Sequence, residues 1–86
     1  MDEKLRNTLK VQRAIRDLTQ ADLALLAGVT RRSVNAIETG RMVPSVLLAL
    51  KLARALGVSI ETIFSLESAD GTRQEHPQAP AESGTR

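Results

Sequence analysis

Residues 19–40 read TQADLALLAGVTRRSVNAIETG, and this stretch decides the fold. It holds two apolar-periodic runs separated by Gly28, Val29 and Thr30. Thr19 and Thr30 each stand just before a run, where a hydroxyl accepts a free first-turn N–H and starts a helix. Leu18 with Leu23, and Val29 with Val34, have the spacing of a hydrophobic staple across those caps. Gly28 closes the first run, because glycine takes the left-handed conformation that ends a helix. Two helices joined by so short a turn must cross steeply, and the outer face of the second then protrudes.

On that second helix, over 31–39, Val34 and Ile37 lie three apart and face inward. Arg31, Arg32 and Asn35 are left outside, with Ser33 and Ala36 on the shoulder. Cations in a first turn oppose the helix dipole, so two arginines there carry a small cost that a purely structural role does not explain. A protruding helix that presents two guanidinium groups and an amide is suited to the major groove of DNA.

The same signals organise the flanks. Val58-Ser59 with Ile63 repeats the cap and staple, Pro44-Ser45 marks a further start, and Gly40 and Gly57 are further stops. The expected helices are 5–16, 20–27, 31–39, 46–56 and 60–65, with no convincing strand, so the predicted class is all-α. The expected inward rows are Leu5, Leu9 and Ile15; Leu23, Leu26 and Ala27; Val34 and Ile37; Val46, Ala49, Leu50, Leu52, Ala53 and Leu56; and Ile60, Ile63 and Phe64. Phe64 is the sole aromatic residue and reads as a core plug, since a base-stacking platform wants several.

From Glu67 onward the apolar side chains are three alanines among Gly, Pro, Ser and charged residues. Such a segment cannot offset the entropy of ordering it, so 67–86 is expected to be a disordered tail. One domain over 5–66 then remains, and 86 residues leave no room for a separate sensing or catalytic unit. Residues 1–66 carry ten basic and six acidic side chains, a net of +4, whereas 67–86 carry a net of −2. A basic domain favours a polyanionic partner. The absence of Cys removes disulfide frameworks and thiolate metal sites, and the charged start lacks the apolar stretch of a signal peptide, so the expected location is the cytoplasm.

The run R-x5-TQxxLAxxAGVTRxSVNAIETGR followed by P-S-x5-KLARALGVSIETIF resembles the Cro/repressor-type (XRE-like) helix-turn-helix family, in particular its short single-domain bacterial transcriptional regulators. The resemblance covers about residues 5–66 and implies a five-helix, lambda-repressor-like DNA-binding domain that acts as a repressor. It implies base contacts from Arg31, Arg32, Asn35 and Ala36: an Arg fork suits guanine, an Asn amide suits adenine, and a small Ala touches a thymine methyl. Arg31 fits either a base or a phosphate. Gln20, Ser33 and Arg41 correspond to phosphate contacts, and Arg13 and Glu38 to an ion pair joining the first helix to the end of the recognition helix.

Leu47 departs from the family, where many relatives carry a charge. With Leu48 and Ala55 it makes the fourth helix apolar over most of its circumference, which implies a surface buried elsewhere. A homodimer through helices 4 and 5 is the expected consequence, since helix-turn-helix proteins bind paired half-sites. The alternative function is a protein-interaction module, such as an antitoxin on the same fold. No enzyme activity, cofactor or metal is expected: His76 is the lone imidazole, and there is no phosphate-binding glycine loop or carboxylate-histidine cluster.

Overall fold

A computed structural model describes residues 3–67. In chain order the elements are strand β1 (Lys4–Asn7), helices α1 (Leu9–Ile15), α2 (Gln20–Ala27), α3 (Arg31–Glu38), α4 (Val46–Leu56) and α5 (Ile60–Ile63), and strand β2 (Phe64–Glu67). None of these helices is long and apolar enough to cross a membrane.

The helix starts follow the cap residues. The hydroxyl of Thr19 accepts from Asp22 N at 2.9 Å, that of Thr30 from Ser33 N at 3.0 Å, that of Ser45 from Leu48 N at 3.1 Å and that of Ser59 from Thr62 N at 3.3 Å. Asp22 completes a reciprocal box by accepting from Thr19 N at 3.0 Å. Hydrogen bonds given to the carboxyl by Thr19, first from its backbone N–H and then from its side chain, hold Asp22 below its ordinary pKa. The staple residues Leu18, Val29 and Val58 pack against the core in which Leu23, Val34 and Ile63 are buried. Gly28 sits at φ 74°, a left-handed conformation that side chains rarely adopt, and its N–H bonds Ala24 O at 2.9 Å to close α2.

The all-α expectation needs one correction. The five helices are present, but residues 4–7 and 64–67 form a two-stranded antiparallel sheet with Lys4 opposite Glu67, Leu5 opposite Leu66, Arg6 opposite Ser65 and Asn7 opposite Phe64. The expected first helix from residue 5 therefore begins only at Leu9, because Asn7 Oδ1 accepts from Leu9 N at 3.0 Å and the chain before it is extended. The expected fifth helix likewise ends at Ile63, where Phe64 turns extended at φ −118° and ψ 139°. Glu67, expected as the first residue of the tail, belongs to the strand and is ion-paired with Arg6 at 3.0 Å. The rest of the expected tail, with His76, lies outside the described residues.

The core joins Leu9, Leu23, Ala24, Ala27, Val34 and Ile37 to Ala49, Leu52, Ala53, Leu56, Ile63 and Phe64. Five expected core positions are instead exposed: Leu5, Ile15, Leu26, Val46 and Leu50. In α2 the buried face is centred on Leu23, Ala24 and Ala27 because this helix packs on both α3 and α4, and Leu26 falls about 110° away from it. In α4 the inward row is Ala49, Leu52, Ala53 and Leu56, which turns Val46 and Leu50 to the side. Ile15 closes α1 on its outer face, just before a turn through Asp17 at φ 59°.

Candidate nucleic-acid interface

Helix α3 is anchored along its inner side by Val34 and Ile37, both buried, and its outer side stays open. Gln20, Arg31, Arg32, Asn35, Ala36 and Arg41 surround a single open concavity of about 730 Å³. Three different segments contribute: the first residue of α2, the outer face of α3 and the turn after it. None of the lining residues is acidic, and among the described residues neither ion pair involves Arg31, Arg32 or Arg41. Three uncompensated guanidinium groups around one hollow make a positive site fitted to a polyanion.

The six sequence-derived residues that line the hollow thus come together. Ser33 is set apart: its Oγ accepts from the Thr30 hydroxyl at 3.0 Å at the start of α3, which leaves its own hydroxyl hydrogen to donate elsewhere. Arg41 is carried on a turn closed by its N–H to Ala36 O at 2.8 Å and by Met42 N to the same oxygen at 3.1 Å. Its Nε lies 3.4 Å from Thr39 Oγ1, which in turn donates to Asn35 O at 2.9 Å.

Arg13 and Glu38 meet as a two-pronged pair. Arg13 Nε donates to Glu38 Oε2 at 2.6 Å and Nη2 to Oε1 at 3.2 Å, while Nη1 reaches Leu18 O at 2.8 Å. The side chains are only 15% and 6% exposed, so this is a largely desolvated pair tying α1 to the last residue of α3. Burial by itself pushes the Glu38 carboxyl up. The hydrogen bonds from Arg13 and Gln20 and the charges of Arg13 and Lys10 more than offset that and leave it below its ordinary value. The Glu38 bond reinforces the charged form of Arg13.

Gln20 is turned inward as well as lining the hollow. Its Nε2 donates to Asn35 Oδ1 at 3.0 Å and to Glu38 Oε1 at 3.1 Å. The sequence did not single out Asn7, whose Nδ2 donates to Ile37 O at 3.0 Å and so fastens the end of β1 to α3. An Asn-Thr pair directly ahead of a buried Leu is a cap signal that marks this position. Among the described residues no group of three His, Cys, Asp or Glu is placed to hold a metal ion.

A family model described as Helix-turn-helix matches residues 9–63. An uncharacterized HTH-type transcriptional regulator of Methanocaldococcus jannaschii is 49% identical over 63 residues, 73% of this chain and 96% of the relative. A second, YgzD of Bacillus subtilis, is 44% identical over the same shares. Among solved structures, the restriction-modification controller protein C.AhdI from Aeromonas hydrophila superposes with a TM-score of 0.61 at 35% identity, covering 63% of this chain and 82% of that one. The match spans α1 to α5 and includes every residue of the hollow, so the chain belongs to the Cro/repressor-type (XRE-like) helix-turn-helix family.

Proposed function

We propose that this chain binds specific sites on double-stranded DNA as a transcriptional regulator, acting as a repressor, with α3 in the major groove. The observation that carries the proposal is the hollow on the outer face of α3, ringed by Arg31, Arg32, Arg41, Asn35, Gln20 and Ala36 with no acid among them. With its side chains an α-helix is roughly 10–12 Å across, a cross-section that the major groove, about 12 Å wide, admits. Arg32 and Asn35 read base edges, Ala36 meets a thymine methyl, and Arg31 takes a base or the adjoining phosphate. Ser33 and Arg41 contact phosphates on either side. Both N–H groups of the Gln20 amide face protein oxygens, so its phosphate contact falls to the backbone N–H at the start of α2.

The domain acts as a homodimer. Val46, Leu47 and Leu50 are 73%, 63% and 51% exposed on one side of α4, and Val43 before them is exposed too. Val43 shares a groove with Leu5, whose cross-strand partner Leu66 is also exposed, which extends the apolar surface onto the sheet. Leu48 and Ala55 pack against the core, and α5 exposes the polar Glu61 and Thr62, so within the expected helix 4 and 5 surface the weight falls on Leu47 and its α4 neighbours. A symmetric pair burying this surface presents two copies of α3 to half-sites. An antitoxin-like protein partner would use the same apolar face.

Selection from a random duplex pool tests the proposal. Enrichment of a motif made of two related half-sites about one helical turn apart is the expected outcome. Failure to enrich any sequence, with tight capture of a different protein instead, contradicts it.

A further inference from the structure

Behind α3 four side chains form a chain of hydrogen bonds whose direction is forced from one end. Arg13 donates through Nε and Nη2 to both oxygens of Glu38. Guanidinium has no acceptor, and a charged carboxylate has no donor. The Gln20 amide atom 3.1 Å from Glu38 Oε1 must therefore be the nitrogen. That same nitrogen lies 3.0 Å from the Asn35 amide, so the Asn35 atom facing it must be the oxygen. The two ends of an amide look alike, but the carboxylate anchored by Arg13 removes the ambiguity at both Gln20 and Asn35.

The Asn35 Nδ2 is thus left over. Among the described residues it has no hydrogen-bond partner, and Asn35 lines the hollow beside Arg31 and Arg32. We propose that the Arg13–Glu38–Gln20–Asn35 chain sets Asn35 as a hydrogen-bond donor toward DNA, which makes Gln20 a specificity-determining residue that acts through another. This rests on α3 being the recognition helix.

The choice of base follows from the donor character. An Asn that grips adenine must accept from N6 while donating to N7. Here Oδ1 is held from behind by Gln20; it keeps a second lone pair, but its position is dictated by the protein, whereas both hydrogens on Nδ2 are free. Guanine presents two neighbouring acceptors, N7 and O6, and thymine presents O4. Adenine places its N6 donor beside N7, and cytosine offers a donor alone. Asn35 therefore reads guanine first and thymine second, and the adenine pairing expected from the residue type alone gives way.

Site selection from a random duplex pool with the parent, Asn35→Ala and Gln20→Met decides the matter. The base pair at which Asn35→Ala loses preference identifies the position that Asn35 reads. There the parent is expected to favour guanine over adenine by on the order of 10- to 100-fold, the range of one good base contact. Gln20→Met should bring that ratio toward one while preferences elsewhere in the site hold. A parent that prefers adenine or cytosine at that position overturns the proposal even if Gln20→Met does not fold. It is equally overturned if Gln20→Met folds and weakens every sequence alike with the preference intact, as a plain phosphate or packing role would. A parent that enriches no sequence is a different result: it removes α3 as a base reader, and this inference with it.

Discussion

Helices α3 and α4 each leave one face uncovered, and the two faces have opposite character. α3 turns out Arg31 and Arg32, with Arg41 beside them, while α4 turns out Val46, Leu47 and Leu50. The inner sides are alike: both are apolar rows pressed into one core. Packing therefore explains the inner rows and leaves the outer ones to partners. Uncompensated cations are solvated at little cost and gain from an anion, whereas exposed leucines gain only from another apolar surface. Substitutions on one face should consequently alter DNA binding, and those on the other should alter assembly.

The largest expected effect is common to both faces. Arg13→Ala or Glu38→Ala strands a partner that is nearly excluded from water, and should cost ~3 to 5 kcal/mol in urea unfolding. Replacing both together with apolar side chains should cost much less than the sum. A cost under ~1 kcal/mol for each single change would mean that the pair behaves as a solvated one. The same pair gives a pH dependence. The Glu38 carboxyl is depressed in the folded state relative to an ordinary value of 4.5, so its contribution is fully present above that value and is lost as pH falls through the lower folded one. Glu38→Gln should flatten the acid limb of a stability-against-pH curve.

Next comes the α4 face. Leu47→Glu places a charge in the proposed dimer seam and forfeits the burial of a leucine on each protomer, roughly 1.5 to 3 kcal/mol apiece. Sedimentation should show a monomer at concentrations where the parent is a dimer, and binding to an isolated half-site should keep its sequence preference. A dimer that survives Leu47→Glu intact would move the interface elsewhere. The smallest effect belongs to the sheet. Arg6 is 56% exposed, so Glu67→Ala should cost only ~0 to 1 kcal/mol and shift the thermal midpoint by no more than about 4 to 8 °C.

The helices were legible because their ends are written in local chemistry. Thr19, Thr30, Ser45 and Ser59 cap as their side chains predict, and α2 and α4 have the expected bounds. The strands were not, because Lys4–Asn7 and Phe64–Glu67 are four residues each and carry too little period to separate from a helix end. Their pairing depends on partners some sixty positions apart, a distance over which no local signal acts. The outward placement of Leu26 and Val46 was hidden for a related reason: which stripe of an apolar helix faces in depends on its neighbours. At the site, the residue types around the hollow were readable, but the inward turn of the Gln20 amide depends on Glu38, eighteen residues away.

Arg32 and Asn35 decide whether the outer face of α3 reads DNA sequence. The measurement is the affinity of the parent, Arg32→Ala and Asn35→Ala for a selected site and for scrambled duplex across a range of salt. Each variant should lose ~1 to 3 kcal/mol on the selected site and discriminate less at one or two base positions. On scrambled duplex Asn35→Ala should bind nearly as the parent does. If both variants bind the selected site as tightly as the parent and discriminate as well, α3 does not read DNA.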